Sequence, residues 1–419
     1  MQEREAGPAA PGSTRELELL ARIARLEEVV TQQQKRIRDL EEELAKARKD
    51  SSTSSKPPSS DIVKPPKGPP GQDPGNRKKG AQPGHPRNDR DPFPPDQIDR
   101  TYTYSLDQCP GCGGELQQAE AAPRVIQQIE IVEIPVAIEE HRGLAYWCKR
   151  CEKIHYAPLP PQVERAGLTG PGLTAVIGYM KGACHASFST IRKFLRDVVG
   201  VKISRGQLAK ITGKVSRALA GPYDELLRNL PSEATLNVDE TGHKENGERF
   251  WTWCFRAELY VLFRIDISRG SGVLIEVLGK EFDGVIGCDY FSAYRKYMKD
   301  FDIAVQFCLA HLIRDVKFLI TLPDEPTKAY GVRLLDEIRE MFGVIHRRDE
   351  MQEAAFLEAL EASRQKILTV GLEQVSESRE AQNMANRFRK HGEAYFRFIT
   401  TPGMDPTNNV AEQAIRFVV

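Results

Sequence analysis

Three acidic residues in the C-terminal half of the chain have the side-chain type and setting needed for metal-dependent transfer of a phosphoryl group. Asp239 ends the segment TLNVD, and Asp289 ends the segment GVIGCD. We predict that both project from strand ends, which line the functional crevice of an open α/β sheet. Two aspartates there repel each other unless a cation joins them. Mg²⁺ takes a few carboxylate ligands together with water and substrate phosphate, and two such ions can activate an attacking oxygen and stabilise the leaving one.

Such a site needs a third acid, and Glu412 in the segment PTNNVAEQAIRFV is the candidate. We predict that its helix begins near Asn409, which places Glu412 in the first turn. Two other interpretations stay open. Asn409 and Glu412 have the spacing of a capping box, in which the glutamate only bonds the end of its own helix. A single aspartate at a strand end is also a common turn former.

Short strands and helices must position these acids. The segments ATLNVDETG, RFWTWCF and LYVLFRID predict three strands, because they are rich in β-branched and aromatic residues. Breaks are expected at 242–247 and near 256–258, so that Asp239 stands where the first strand turns. A helix over 271–278, the strand GVIGCD, a helix from Phe291, the strand IAVQFCL and a helix from Ala310 follow. The order predicts a mixed sheet covered by helices, the ribonuclease-H-like plan, over 231–419.

Four cysteines form two CxxC pairs, Cys109 with Cys112 and Cys148 with Cys151. Four thiolates on two tight turns make one tetrahedral zinc site, so we predict a structural zinc ribbon over 101–160. The alternatives are chance spacing and a redox dithiol. A site closed by four sulfurs shapes a surface and does not catalyse. Three further cysteines are expected to pack in a core: Cys184, Cys254 and Cys288.

A basic, helical segment lies between the cysteine pairs and the strands. Residues 165–230 hold eleven Lys and Arg residues against three acidic ones. Helices are predicted over 173–182 and 189–199, then a turn at 200–203 and a third helix capped by Ser204. A helix, a short turn and a second helix with a polar, basic face are typical of a helix-turn-helix in a major groove. We predict a DNA-binding domain over 161–230, with a merely packed helical bundle as the alternative. The predicted DNA-binding residues are Arg205, Gln207, Lys210 and Lys214.

The N-terminal residues, 1–50, predict a coiled coil. Apolar residues recur at alternating spacings of four and three, which is the seam of a helix that pairs with another helix. The seam consists of Leu19, Ile23, Leu26, Val30, Gln33, Ile37, Leu40 and Leu44. We therefore expect a homo-oligomer, and the alternative is one amphipathic helix lying on the body of the protein. Residues 51–100, rich in Pro, Ser, Gly and Lys, predict a disordered linker.

Length and composition set the frame for these segments. A chain of 419 residues predicts a multidomain α/β protein. The 59 Lys and Arg residues equal the 59 Asp and Glu residues, so a case for nucleic acid depends on local charge. No apolar run is long enough for a membrane span or a signal peptide. We expect a cytoplasmic protein that has no membrane partner.

Several motifs occur in one order along the chain: SSTSSKPPSSD after the coiled-coil pattern, CPGCGG, CKRC, NVDETG before FWTWCF, GCDYFSAY, CLAHLIRD and PTNNVAEQAIR. In these motifs the chain resembles the TnpC-type transposases of the insertion-sequence 66 family, which belong to the DDE class. Each motif is weak alone. Together they are specific, and they cover nearly all of the chain.

The resemblance implies that Asp239, Asp289 and Glu412 are the DDE triad and that two Mg²⁺ or Mn²⁺ ions bind there. It implies DNA cleavage and strand transfer at the terminal inverted repeats of a bacterial insertion sequence, with accessory proteins of the same element as further partners. A helical insertion is implied at about 325–400. Cys308 and His311 match a signature that supports the active site in many DDE transposases; the alternatives are buried helix-end residues and a separate metal site.

The family continues past the helix of the third acid, whereas this chain stops at Val419. We therefore expect a truncated C-terminus and a poorly anchored Glu412 helix. Two other functions stay open. One is a ribonuclease-H-like nuclease, which uses the same carboxylates for hydrolysis alone. The other is a catalytically inert DNA-binding regulator or remnant.

Overall fold

The computed structural model describes residues 14–49, 93–98, 101, 112, 136–148, 150 and 152–418. Most of the linker predicted over 51–100 lies outside these residues, as do Cys109 and Cys151. The chain divides into two units, one formed by Lys67–Ala218 and the other by Met1–Pro66 with Leu219–Val419. No helix among the described residues is long and apolar enough to cross a membrane.

The predicted N-terminal helix is confirmed as α1 (Thr14–Ala47). Its C-terminal end packs on the unit that also holds the large sheet. Ala45 lies against the hydrophobic core, Lys46 Nζ lies 3.0 Å from Glu380 Oε1, and Lys49 Nζ lies 4.1 Å from the ring centroid of Phe318. The apolar seam residues are exposed: Leu19, Ile23, Leu26, Val30, Ile37, Leu40 and Leu44.

The unit Lys67–Ala218 contains an antiparallel pair, β1 (Ala145–Cys148) and β2 (Lys153–Tyr156). The helices α2 (Pro161–Ala166), α3 (Pro171–Gly182) and α4 (Phe188–Asp197) follow, and α5 (Arg205–Asn229) begins in this unit. Six buried side chains form the core of the helices: Ile177, Ile191, Leu195, Ile203, Leu208 and Ile211. The three helices predicted here are confirmed as elements.

Local signals explain where these helices begin and end. The Ser187 hydroxyl accepts the N–H of Thr190 and caps α4, and Gly200 takes a left-handed φ of 79° in the turn that follows. The Ser204 hydroxyl accepts the N–H of Gln207 at 3.2 Å and caps α5, as predicted. The core assignment of Cys184 is wrong, because this residue in the turn after α3 is exposed. Cys254 and Cys288 are buried, as expected.

The larger unit is built on a five-stranded sheet. Its elements are β3 (Thr235–Glu245), β4 (Glu248–Arg256), β5 (Val261–Asp266), α6 (Gly272–Leu278), β6 (Val285–Cys288), α7 (Ser292–Phe301), β7 (Ala304–Phe307) and α8 (Leu309–Ile320). The strand order is β5-β4-β3-β6-β7. β3, β4 and β5 pair antiparallel, whereas β6 pairs parallel with both β3 and β7. The predicted meander and mixed sheet are confirmed.

The prediction that the first strand ends at Asp239 is wrong. β3 continues to Glu245, and its turn is Asn246-Gly247, where both residues have positive φ, 50° and 88°. This is the geometry of a two-residue type I′ hairpin. Gly242, which suggested a turn, lies inside the strand opposite Trp251. A Cβ at Gly242 would lie 3.2 Å from the ring of that tryptophan, so the glycine serves close packing.

A helical segment follows α8, as expected for 325–400. It contains α9 (Glu325–His346), α10 (Glu353–Leu372) and α11 (Arg379–His391), then two short 3₁₀ turns, and the last helix is α12 (Asn409–Ile415). The helices share the hydrophobic core of the sheet. Buried Gln306 of β7 ties the segment to the sheet, since it donates to the carbonyl of Tyr395 and accepts the N–H of Phe398, each at 2.9 Å.

Candidate active site

The register of the two parallel strands brings Asp239 and Asp289 side by side. The pairing of β3 with β6 ends at Asn237 and Gly287, and one aspartate stands two residues further along each strand. Neighbouring strands lie about 4.8 Å apart, so the two carboxylates are neighbours across the strand pair. The Asp289 side chain follows the end of β6, as predicted.

Both aspartates are half-buried, and their charges oppose each other. Burial, followed by the charges of Glu240 and Asp289, raises the pKa of Asp239 well above its ordinary value. Burial also raises the pKa of Asp289. Each carboxylate accepts one backbone N–H, that of Glu240 for Asp239 at 3.0 Å and that of Phe291 for Asp289 at 2.8 Å. These bonds fix the directions of the two carboxylates.

Glu412 is brought to the same place by α12, and its helix begins at Asn409 as predicted. Glu412 Oε1 lies 3.5 Å from His311 Nε2, and Glu412 Oε2 lies 3.8 Å from Arg314 Nη2. The charge of Glu412 contributes to the raised pKa of Asp239. The capping-box interpretation is wrong: the residue before α12 is Asn408, and no side-chain bond caps this helix among the described residues.

Asn408 anchors the start of α12 to the sheet. Its amide nitrogen donates to the carbonyl of Val238 at 2.8 Å, and its amide oxygen accepts from Asn237 Nδ2 at 2.9 Å. Two apolar residues of the helix, Ala411 and Ile415, are buried. The expectation of a poorly anchored helix is therefore wrong. Since Val238 precedes Asp239 directly, the same bonds join the third acid to the strand of the first.

Cys308 and His311 lie beside this anchor. The ligand atoms of Cys308, His311 and Glu412 are all within 4.8 Å of one another. The Cys308 sulfur, however, accepts the backbone N–H of Asn408 at 3.1 Å, and burial raises its pKa to about 11. A thiolate is the form that binds metal, so the geometry favours a packing role. Burial lowers the pKa of His311 while Glu412 and Asp289 oppose that shift.

Sequence reasoning missed a buried ionic group behind Asp239. The Glu240 side chain is buried and accepts from Arg269 Nε at 2.9 Å and from the hydroxyl of Tyr294. Burial, followed by the charge of Asp289, raises the pKa of Glu240 to about 7. The Arg269 guanidinium carbon lies 3.8 Å from the ring centroid of Phe291. Strand alternation could have flagged Glu240, because it shares a face with buried Val238.

Comparison with known protein families followed from this geometry. The family model "Transposase IS66 family" matches residues 166–419, which is more than half of the chain. The chain belongs to the transposase IS66 family. The model of the zinc-finger binding domain of transposase IS66 matches residues 107–152, and a family of unknown function (DUF6444) matches residues 8–91. No curated protein matches the sequence.

The zinc-finger match of this transposase covers both cysteine pairs and supports structural zinc. The arrangement of the four predicted ligands falls largely outside the described residues. Cys112 is exposed, Cys148 ends β1, and Cys109 and Cys151 are not among the described residues.

The predicted DNA-binding residues of the transposase lie on the first three turns of α5. Arg205 and Lys210 are exposed, and Gln207 is half-buried. Lys214 is exposed and donates to the carbonyl of Arg165 at 2.5 Å. Leu208 and Ile211 on the same helix are buried in the core. α5 therefore has an apolar face that packs and a basic face that reaches solvent.

Proposed function

We propose that this transposase binds the terminal inverted repeats of an insertion sequence and catalyses Mg²⁺-dependent DNA cleavage and strand transfer, with Asp239, Asp289 and Glu412 as the DDE triad. One observation carries the proposal. Two aspartates stand at matching positions on neighbouring parallel strands, and a braced helix adds a glutamate to them.

The donor set fits divalent cations. Asp239 and Asp289 have raised pKa values through burial. Glu412 Oε1 is buried and has no hydrogen-bond partner among the described residues. Buried carboxylate oxygens without partners cost free energy unless a cation binds them. Mg²⁺ or Mn²⁺ suits oxygen ligands, and two such ions, when bound, supply the charge that activates the attacking oxygen and stabilises the leaving one.

The side chains around the triad fix the ligands before the substrate arrives. The N–H groups of Glu240 and Phe291 orient the two aspartates. His311 and Arg314 lie beside the Glu412 carboxylate, and these groups keep it close to the sheet. Preorganised ligands need no rearrangement in the transition state. The order of strands, with β3 central, antiparallel partners on one side and parallel partners on the other, agrees with the ribonuclease-H-like plan and supports the same assignment.

The other segments supply binding and assembly in this proposal. The basic face of α5, with Arg205, Gln207, Lys210 and Lys214, contacts DNA in the manner of a helix-turn-helix. The cysteines 109, 112, 148 and 151 bind one structural zinc ion. The exposed seam of α1 pairs with the same helix of a second copy and gives a coiled coil.

The test is a joining assay with pre-cut terminal-repeat DNA, a supercoiled target and Mg²⁺. Asp239→Asn, Asp289→Asn and Glu412→Gln should each abolish cleavage and joining, because each amide keeps the shape and loses the charge that holds a cation. The three losses should be alike, since ligands of one cluster act as a unit. DNA binding should remain.

Asp283→Asn is the matched control, because Asp283 is an exposed aspartate in the loop before β6, and it should keep full activity. An active Glu412→Gln protein would remove Glu412 from the triad. Cleavage without joining in the native protein would identify a nuclease. Sequence-specific binding without any metal-dependent cleavage would identify an inert regulator.

A further inference from the structure

Basic side chains gather around Tyr290, the residue that follows Asp289 directly. The Cζ atom of Arg387 lies 3.8 Å from the centroid of the Tyr290 ring, and that of Arg295 lies 4.6 Å from it. The His391 ring lies 5.8 Å from the same centroid. Arg295 belongs to α7, whereas the others belong to α11 of the helical segment. The Tyr290 basic cluster consists of Arg295, Arg387, Lys390 and His391.

Acidic side chains balance only part of this charge. Arg387 is buried, lies 2.7 Å from Asp315 Oδ2 and donates to the hydroxyl of Tyr395. Within the described part of the chain, no carboxylate lies within ion-pair distance of Arg295, Lys390 or His391. Burial, and then the charges of Arg295, Lys390 and Arg387, lower the pKa of His391. The cationic groups therefore face one another, which costs free energy in the absence of an anion.

Two guanidinium donors in the cluster are left over. Arg295 Nε and Arg387 Nη2 are buried and have no hydrogen-bond partner among the described residues. Leaving a buried donor unpaired costs about 1–3 kcal/mol. The exposed part of the cluster is formed by Lys390, with Arg295 and His391 half-buried. Guanidinium groups pair with phosphate oxygens through two parallel hydrogen bonds, so a phosphodiester is the anion that fits this chemistry.

The position of the cluster also points to DNA. Tyr290 adjoins Asp289, and the charge of Arg387 opposes the rise in the pKa of Asp289. Three carboxylates repel the phosphates of an approaching strand, and fixed positive charge beside them offsets that repulsion. We propose that the Tyr290 basic cluster binds the phosphodiester backbone of the DNA strand at the active site, with Arg295, Lys390 and His391 as the contacting residues. The inference rests on the proposed strand-transfer function and gives the helical segment a part in it.

The test compares salt dependence of DNA binding, measured without a divalent cation. The probe is a duplex carrying the terminal repeat of the element, and the protein is the full chain. The double variant Arg295→Gln, Lys390→Gln should bind more weakly, and its slope of log K against log salt should be less steep by about 1.4 to 1.8, because each lost phosphate contact removes about 0.7 to 0.9. Lys299→Gln, an exposed lysine of α7, is the control and should leave the slope unchanged.

A second variant separates charge from packing. Arg295→Lys with Lys390→Arg keeps both charges and should keep the native slope; if it loses as much slope as the glutamine variant, the cluster only packs around Tyr290. An unchanged slope in a glutamine variant with the native melting temperature would also overturn the site. Binding requires no metal here, so a loss of slope together with active triad variants would reject the proposed catalysis and keep the phosphate site.

Discussion

Asn408 shows how much of the candidate site depends on one side chain. It is buried, and its side chain and backbone bond to Val238, Asn237 and Cys308. These partners belong to β3 and to the start of α8, so one residue joins two elements to α12. The position of the Glu412 carboxylate relative to the aspartates follows from these bonds.

Replacing Asn408 by Ala should therefore weaken both the fold and the activity. The carbonyl of Val238 and the amide of Asn237 would lose their partners in a buried place, which lowers the free energy of unfolding by about 1–3 kcal/mol. Joining activity should fall much more than stability, because Glu412 is no longer held. Urea denaturation and the joining assay measure the two effects. Asn408→Asp keeps the acceptor for Asn237 and should lose less stability; equal activity of the Ala variant and the native protein would contradict the anchoring role.

The acids of the site could be predicted from the sequence, but the residues that hold them could not. Asp239, Asp289 and Glu412 are visible through residue type and local pattern. Asn408 bonds to Asn237, a residue 171 positions away, and no local pattern encodes such a contact. Glu240 was missed for a different reason: burial of a carboxylate is recognised only when its partners, Arg269 and Tyr294, are known.

At the scale of elements, the close approach of β3 and β6 depends on Gly287. A Cβ on this residue would lie 2.4 Å from Asn237 Nδ2, the group that donates to Asn408. Gly287→Ala should displace the Asn237 amide, loosen α12 and reduce joining activity together with the melting temperature. Gly343→Ala is the control, since nothing lies within 4 Å of its Cβ position inside α9. This control should stabilise the protein by up to about 1 kcal/mol; a comparable loss at both glycines would disprove the steric explanation.

The start of α9 depends on Asp324, whose carboxylate accepts the N–H of Thr327 at 3.0 Å and the hydroxyl of Ser376 at 2.9 Å. Asp324→Ala should lower the free energy of unfolding by about 1 kcal/mol, the usual effect of losing an N-cap. The hydrogen bond from Thr327, and then others, lower the pKa of Asp324 below its ordinary 3.8.

The pH dependence of this contribution follows from the lowered pKa. The carboxylate stabilises the fold fully above pH 3.8, and the contribution disappears as the pH falls through the lower pKa of the folded state. The difference between the native protein and Asp324→Ala, measured by urea denaturation, should shrink in acid. A difference that grows on acidification would show that the cap does not depend on the charge.

Most elements could be predicted from local pattern, and their lengths could not always be. The helices before and inside α5 carry their own caps, Ser187 and Ser204, so their starts follow from the sequence. β3 is longer than predicted because its ladder with β4 continues past Gly242 to the Asn246-Gly247 turn. The glycine in the strand suggested a turn, whereas the packing of Trp251 against it is a tertiary contact that periodicity does not reveal.

For the whole molecule, the equal numbers of acidic and basic residues conceal separate charged regions. Residues 165–230 hold eleven basic residues against three acids, whereas the candidate triad gathers carboxylates on the sheet. A positive surface suits the DNA backbone, and a group of buried acids suits cations. Net charge is therefore silent about function here, and the distribution of charge along the chain is informative.

The last prediction concerns assembly through α1. Its seam exposes about half of the surface of each apolar residue, with Leu26 at 57% and Leu40 at 46%. Burying a leucine side chain between paired helices contributes about 1.5–3 kcal/mol, and a lysine at an inward position reverses that gain because its charge would be desolvated. Leu26→Lys with Leu40→Lys should therefore lower the mass of the assembly in sedimentation equilibrium. Glu28→Lys with Gln32→Lys adds two lysines outside the seam and should leave the mass unchanged. The same mass for the seam variant and the native protein would show that α1 does not join the copies, and the exposed leucines would then need a different partner.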